Sequence, residues 1–379
     1  MIYLDNSAGS RPHPEVIKTI VDSLENHWGN VSADNSFGKD AMSVVDKVTS
    51  QVAIDINCTS NEIIWTSGAC EANSLAIYGL AQDRHLHVLT SKLEHTSINL
   101  ALQEIDRYEC SYDFITNDCN GFIDLTNLKD KLIQQRGSCN TPLVSISFAS
   151  SEIGTIQDIK AIAEIVHKYN GLLHVDATQI YPWYKIDVKE LGIDLMSVSG
   201  QKMNCCKGVG FLYVRFGVQI QPIIYGSQQD ERRGGTYPTH LIAAFGKALE
   251  LTRSHSCTEV VEKLRNTLLE KLLTIDGVRL NGPNINKRLP NNISLTIDGV
   301  SASTLVAMCD LMGVIIAKGS ACKSYVPEPS KTLMAIGLTK EDALNTIRIS
   351  LGTFNNKQEI DKACNIIAKL VERIRNDNT

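Results

Sequence analysis

Short apolar runs alternate with amphipathic stretches between residues 61 and 214. The stretches EANSLAIYGLAQ, SINLALQEIDRY and IKAIAEIVHKYN repeat apolar residues at helical spacing, so we predict helices there. Before and between them lie apolar runs bounded by Gly, Ser, Asn or Pro, which predicts buried strands: NEIIWTS, LHVLTS, PLVSISFAS, GLLHVDAT and DLMSVSG. This alternation indicates an α/β fold with a mostly parallel sheet covered by helices on both faces. GVGFLYVR follows the last strand too closely for a helical crossover, so we predict an antiparallel strand.

The pattern changes after Pro238. Helical periodicity covers 240–253, 258–274 and 357–376, and two shorter strands, NISLTID and GVIIAKG, lie between these helices. We therefore predict two domains: a large α/β domain over 15–255, and a smaller α+β domain formed by 1–14 and 256–379. The helical surface near 236–253 fits either a subunit interface or internal packing.

Composition restricts the class of protein. With 43% hydrophobic and 21% charged residues, the 379-residue chain is typical of globular domains and unlike disordered or coiled-coil chains. A net charge of −5 gives no basic field for direct nucleic-acid binding. No apolar stretch or leader-like segment predicts membrane insertion or secretion, so we expect a cytoplasmic protein. Its 11 cysteines form no CxxC pair, and the adjacent Cys205 and Cys206 do not suit zinc, so we expect no metal site and a reducing compartment.

Polar residues follow the predicted strands at the edge where parallel sheets bind ligands. Gly68 and Cys70 open a helix whose backbone N–H groups suit a phosphate, although small residues there also serve as ordinary caps. His95 follows LHVLTS and either faces the cleft or is a structural histidine. Asp176 ends the apolar run GLLHV, where it either meets a cationic partner or caps the next turn. Lys202 follows DLMSVSG, where burial would lower the pKa of its amine.

Together these groups match the needs of pyridoxal 5′-phosphate. A neutral lysine amine bonds to the aldehyde, a carboxylate holds the pyridine nitrogen protonated, and a helix N-terminus takes the phosphate. The combination is more specific than any of its parts, because each part alone has a structural explanation.

The chain resembles the cysteine desulfurases, a class-V aminotransferase branch of the fold-type I pyridoxal-phosphate enzymes, over nearly its whole length. The matching stretches are YLDNSAGSRPHPEV, TSGACEANSLAIYGLA, SKLEHTS, SSEIGTIQDI, HVDATQ, SVSGQKMNCCKGVGFLYVR, RGGTYPTH, GSACKSYVPEPSKTLMAIGL and IRISLGTFN. The resemblance implies a mostly parallel seven-stranded-type sheet with a smaller C-terminal domain.

The resemblance also implies a role for each matching residue. Lys202 matches the Schiff-base lysine, His95 the ring-stacking residue that moves protons, and Cys322 the nucleophile that accepts sulfur. Arg348 matches the residue that binds the substrate carboxylate, and Ser151 lies near that carboxylate and the ring. The remaining cofactor contacts fall on Asp176 at the pyridine nitrogen, Gln179 at the ring hydroxyl, and Ala69, Cys70, Ser199 and a neighbouring subunit's Thr236 around the phosphate. Gln201 is a further cofactor contact, through its side-chain amide.

Some positions depart from the family pattern. Cys70 replaces a Thr, Gln201 a His, Ser151 an Asn and Asn35 a His, which changes donors around the cofactor. The lysine, aspartate, histidine, arginine and cysteine are all present, so the resemblance implies an enzyme that converts L-cysteine to L-alanine through a Cys322 persulfide. It also implies a homodimer and a sulfur-acceptor protein serving iron–sulfur cluster assembly, tRNA thiolation or DNA phosphorothioation. The alternatives are a selenocysteine lyase and a non-catalytic scaffold in a sulfur relay.

Overall fold

The computed structural model describes residues 1–135, 141–254, 257–319 and 328–377. Its strands are β1 (Ile2–Tyr3), β2 (Ile63–Thr66), β3 (Leu86–Ser91), β4 (Ser111–Ile115), β5 (Thr141–Ser147), β6 (Leu172–Asp176), β7 (Leu195–Ser199), β8 (Gly210–Val214), β9 (Val278–Leu280), β10 (Asn292–Ile297), β11 (Val314–Ile315), β12 (Ala317–Lys318) and β13 (Thr346–Ser350). Its helices are α1 (Pro14–Asn26), α2 (Ser36–Asp55), α3 (Ala69–Ala81), α4 (Thr96–Gln103), α5 (Leu125–Gln134), α6 (Ile159–Lys168), α7 (Thr239–Ser254), α8 (Cys257–Leu272), α9 (Ala302–Leu311), α10 (Lys331–Ala335), α11 (Lys340–Leu344) and α12 (Lys357–Asp377).

A large sheet forms the centre of the molecule. Among the described residues it has seven strands in the order β2-β8-β7-β6-β5-β3-β4. Strands β3 to β7 pair in parallel, while β8 runs antiparallel to both β7 and β2, so the mostly parallel sheet and its antiparallel strand are confirmed. Apolar clusters cover both faces of this sheet, which explains why β6 and β7 are buried along their whole length.

The region after the third predicted strand differs from expectation. The helix predicted over SINLALQEIDRY ends at Gln103 and continues as a short 3-10 turn over Ile105–Tyr108. The edge strand β4 was not predicted, because its sequence SYDFI is half-exposed and lacks a continuous apolar run. An edge strand needs apolar residues on fewer of its positions, so its periodicity is weak.

A second apolar core lies around the sheet β12-β13-β10-β9 and the helices α8, α9 and α12. The chain's first residues reach this core, because β1 pairs in parallel with β11 and Leu4 is fully buried there. Asp5 then bridges to Ser350 at the end of β13. The segment after Asp5 crosses to the large sheet, which places it beside Lys202. The limits of the two predicted domains stay a prediction.

The helical surface near Thr236 is largely internal. Helix α7 packs against α1 and α2 and buries most of its apolar side chains, including Ile242 and Phe245. None of the described helices is both long and apolar enough to cross a membrane. The described ranges also contain no cluster of three or more His, Cys, Asp or Glu side chains arranged to hold a metal ion.

Candidate active site

Lys202 lies on the single turn Gly200–Lys202 that follows β7. Its Nζ donates to the carbonyl oxygens of Ser7 (2.8 Å) and Ala8 (2.7 Å), on the N-terminal segment that crosses the sheet edge. Burial, and then the nearby Arg348 guanidinium, lower the pKa of Lys202 to about 8. Near neutral pH a much larger fraction of this amine is therefore neutral than in an ordinary lysine, and attack on an aldehyde requires the neutral form.

Asp176 ends β6, next to β7, and is buried. Its carboxylate accepts from Asn73 Nδ2 (2.9 Å) and from the backbone N–H of Thr178 (3.0 Å), so it does stabilise the following turn. Within the described residues, no Lys, Arg or His forms an ion pair with it. A buried carboxylate held only by neutral donors fits a cationic ligand group, such as the protonated nitrogen of pyridoxal phosphate.

His95 is the residue that caps helix α4 at its N-terminus. Its Nδ1 accepts from the backbone N–H of Ser97 (3.1 Å) and lies 2.8 Å from the Ser97 hydroxyl oxygen. The side chain is exposed. The structural role expected of such a histidine is therefore present, and it leaves the ring accessible for a ligand to stack against.

The predicted phosphate site lies where β2 meets α3. Gly68 precedes the helix with φ +147°, a conformation open to glycine, and Cys70 in the first turn is exposed. The Ser199 hydroxyl oxygen lies 3.5 Å from where a Cβ at Gly68 would be. Gly210 on β8 is required for a related reason, since a Cβ there would lie 2.8 Å from the Gly68 Cα. The first turn of α3, whose backbone N–H groups have no acceptor within the helix, therefore begins beside Ser199, as an anion site needs.

Gln179 converges on the same backbone atom as the lysine. Its Nε2 donates to the Ser7 carbonyl oxygen at 3.1 Å, beside the 2.8 Å contact from Lys202. The side chain of Gln201 makes no hydrogen bond to a described residue, and Thr236 is exposed on the segment before α7. The cofactor contacts of Gln201 and Thr236 therefore stay predictions.

Arg348 on β13 faces this cleft from the second core. Its Nη2 pairs with Asp5 Oδ1 at 2.8 Å, and its buried Nε has no hydrogen-bond partner among the described residues. Ser151, on the loop after β5, is half-buried, and its carbonyl accepts from Asn292. Cys322 lies outside the described residues, so its predicted role has no structural counterpart here.

Two carboxyl groups that the sequence did not single out border the site, one buried (Glu94) and one half-buried (Glu152). Glu94 accepts from the hydroxyls of Ser91 and Ser147, both at 2.6 Å, and burial raises its pKa to about 7. Glu152 is hydrogen-bonded to the Ser330 hydroxyl, and burial raises its pKa to about 7 as well. These groups bring protonatable carboxyls close to Asp176 and Arg348 respectively.

The structure also adds residues that the sequence reasoning missed. Asn73, fully buried on α3, joins Asp176 to Ser97, and Asp5 holds Arg348. An asparagine inside the apolar run EANSLAIYGLA was a usable signal, because a buried amide needs partners. Asp5 gave no such signal, since its partner lies 343 positions away in the chain.

Comparison with known proteins gives a family match over most of the chain. A family model described as aminotransferase class-V matches residues 2–363. Cysteine desulfurase IscS 1 of Archaeoglobus fulgidus is 34% identical over 99% of this chain and 98% of its own length.

Solved structures show the same fold. A NifS-like protein from Rickettsia africae is 30% identical and superimposes with a TM-score of 0.88, covering 99% of both chains. A structure of SspA in complex with cysteine is 27% identical, with a TM-score of 0.82 over 94% of this chain and 100% of that one. By sequence match over almost its whole length, this chain belongs to the class-V aminotransferase family and groups with its cysteine desulfurases.

Proposed function

We propose that this protein is a pyridoxal-phosphate-dependent cysteine desulfurase, which releases L-alanine from L-cysteine and carries the sulfur as a persulfide. The observation that carries the proposal is the meeting of three groups in one cleft. At the edge of the large sheet lie a lysine amine of lowered pKa and a buried carboxylate that has no cationic partner among the described residues. From the second core comes an arginine whose buried Nε has no acceptor among the described residues. The full-length desulfurase relatives support the same activity.

The residues present fit the cofactor. Lys202 would hold its aldehyde carbon, Asp176 its ring nitrogen, Gln179 its ring hydroxyl, and the turn at Gly68–Cys70, with Ser199, its phosphate. When bound, pyridoxal phosphate supplies an electron sink for the bonds broken at the substrate's Cα and Cβ. The chain must then supply proton transfer, orientation and a sulfur acceptor.

Each of these tasks has a candidate residue. The Lys202 amine is placed to take the Cα proton, and its pKa near 8 suits a general base at neutral pH. His95 is the group we assign to the substrate sulfur. Cys322 is the proposed nucleophile: its thiolate bonds to the substrate sulfur, the carbon–sulfur bond breaks, and the bonding electrons go to Cβ, which is protonated to give alanine.

Arg348 is the proposed partner of the substrate carboxylate. Asp5 fixes one end of the guanidinium at 2.8 Å, which orients it, while the buried Nε keeps a proton with no acceptor among the described groups. An unused buried donor is costly, so a carboxylate that fills this place gains a charge-assisted hydrogen bond. Arg348 also lies close enough to Lys202 to lower the pKa of its amine, so the carboxylate would be held beside the general base.

Replacing Arg348 by Gln is expected to lower kcat/KM for L-cysteine by about 10- to 100-fold, mostly through KM, because a charged hydrogen bond is lost. Removing this positive charge also raises the pKa of Lys202 above its present value of about 8, so the pH midpoint of cofactor loading moves to higher pH. Arg348→Lys serves as the matched variant, since it keeps the charge and loses the planar fork. Steady-state kinetics and pH-dependent loading measure both effects; an unchanged KM in Arg348→Gln would remove Arg348 from substrate binding.

A homodimer is part of the proposal. Ile17, Val21 and Leu24 form a stripe along α1 at helical spacing, and each is about half exposed (51%, 50% and 53%). A second copy that covers this stripe would bury apolar surface, and Thr236, which is exposed, would be free to reach its partner's phosphate site. Light scattering of the purified protein is expected to give the mass of two chains, and the mass of one chain would contradict the dimer.

The sulfur acceptor is proposed to be a protein, with the persulfide passed by thiol exchange; iron–sulfur assembly, tRNA thiolation and DNA phosphorothioation remain its possible destinations. A cytoplasmic location is proposed because persulfide chemistry needs reduced thiols.

The test of the activity is to load the protein with pyridoxal phosphate and compare L-cysteine with L-selenocysteine as substrates. Alanine from cysteine supports a desulfurase, alanine from selenocysteine alone indicates a lyase, and a protein that binds no cofactor would favour the scaffold alternative.

A further inference from the structure

We propose that Asn73 and Ser97 are positioning residues that connect Asp176 to His95 and thereby place the proton of the His95 ring on Nε2. The inference rests on the proposed function for its purpose, because it concerns how His95 meets the substrate sulfur. Its geometry stands independently of that function.

The connection is a continuous chain of hydrogen bonds. Asn73 Nδ2 lies 2.9 Å from Asp176 Oδ2 and 2.9 Å from Ser97 Oγ. Ser97 Oγ in turn lies 2.8 Å from His95 Nδ1. The path therefore joins the end of β6 to the start of α4 through one fully buried side chain of α3.

The donors in this chain have only one consistent direction. An ionised carboxylate only accepts, so the Asn73 atom that faces Asp176 is the NH2 group. Its second N–H points at Ser97 Oγ, which leaves the hydroxyl proton of Ser97 for His95 Nδ1. The backbone N–H of Ser97 also points at Nδ1, at 3.1 Å. A ring nitrogen that receives two donors carries no proton, so neutral His95 has its proton on Nε2.

Ordinary helix capping does not account for this arrangement. A cap needs only the backbone N–H contact between Ser97 and His95, not the hydroxyl or the amide. Asn73 also leaves its buried Oδ1 without a hydrogen-bond partner among the described residues while both N–H groups are used. A buried asparagine normally satisfies its side-chain oxygen as well. Since Asn73 does not, its two donated hydrogen bonds are the contacts that explain an asparagine at this position.

The consequence is a defined role for the exposed side of the ring. Nε2 makes no hydrogen bond to a described residue, so its N–H is left for a ligand. His95 then offers a hydrogen bond to the substrate sulfur, which would orient that sulfur for attack by the Cys322 thiolate. A His95 ring present as a mixture of the two neutral tautomers would present the Nε2–H donor only part of the time.

The test measures the tautomer directly, in full-length protein labelled with 15N-histidine, without substrate. Long-range 1H–15N spectra, assigned with a His95→Gln variant, are expected to show a protonated Nε2 and an unprotonated Nδ1 for His95. Ser97→Ala keeps the backbone N–H but loses the hydroxyl donor, so it is expected to increase the Nδ1-protonated form. Ser97→Thr, which keeps the hydroxyl, and Ser74→Ala, next to Asn73 but outside the chain of bonds, should leave that form unchanged. A wild-type His95 protonated on Nδ1, or the same spectrum in Ser97→Ala, would overturn the inference.

Kinetics give a second readout on the loaded enzyme. Ser97→Ala is expected to lower kcat for L-cysteine by about five- to tenfold with KM nearly unchanged, the effect of one misplaced hydrogen bond, and Ser97→Thr is expected to restore it. An unchanged kcat in Ser97→Ala would contradict the role. If the protein had no desulfurase activity, the proposed function would fail while the tautomer measurement would still decide the inference.

Discussion

Replacing Lys202 by alanine is expected to lower the rate of alanine formation from L-cysteine by about 10³-fold or more, because one residue holds the cofactor and takes the Cα proton. The physical reason is the position of its amine on a half-buried side chain, where the carbonyls of Ser7 and Ala8 hold it and its pKa is lowered to about 8. No other described lysine combines these features.

Lys207→Ala is the matched control, since Lys207 is an exposed loop residue five positions further along the chain. Its activity should equal that of the wild type. Borohydride reduction followed by mass spectrometry checks the attachment itself and should place the cofactor on the Lys202 peptide in wild-type and Lys207→Ala proteins. Cofactor found on Lys207, or substantial turnover by Lys202→Ala, would contradict the assignment.

Replacing Cys322 by alanine is expected to abolish the protein-bound persulfide and to lower alanine formation by about 10²-fold or more, because no thiolate then accepts the sulfur. Cys119→Ala is the matched control, since Cys119 is an exposed thiol on a turn between β4 and α5 and should be dispensable. Mass spectrometry of peptides after incubation with L-cysteine measures the added sulfur. A persulfide that persists in Cys322→Ala at wild-type level would move the nucleophile to another cysteine.

The fold could be predicted from the chain because its central strands are buried on both faces. β6 and β7 read as apolar runs between small residues, and the helices between strands repeat at helical spacing. The edge strand β4 could not be recognised in the same way, since partial exposure removes the apolar pattern. The pairing of β1 with β11 depends on a contact over more than 300 positions, which local pattern does not encode.

The residues of the candidate site likewise separate into those that local sequence pattern predicts and those that depend on distant contacts. The meeting of Asp176 and Lys202 could be predicted because Asp176 ends one strand and Lys202 follows the neighbouring strand, and the ends of neighbouring strands meet at one edge of the sheet. Asp5 and the carbonyl of Ser7, which orient Arg348 and Lys202, lie in the matching stretch YLDNSAGSRPHPEV, but nothing local in it predicts contacts with residues 343 and 195 positions away. The cofactor contacts of all these residues stay predictions, and those of Gln179, Ser199, Gln201 and Thr236 come from resemblance alone.

The central claim is that this chain takes sulfur from L-cysteine onto its own Cys322. The most direct test incubates the cofactor-loaded protein with L-cysteine for a single turnover, quantifies alanine, and determines the mass of the Cys322 peptide without added thiol. The account predicts one alanine per active site together with one added sulfur on that peptide. Cofactor-loaded protein that forms neither product would contradict it.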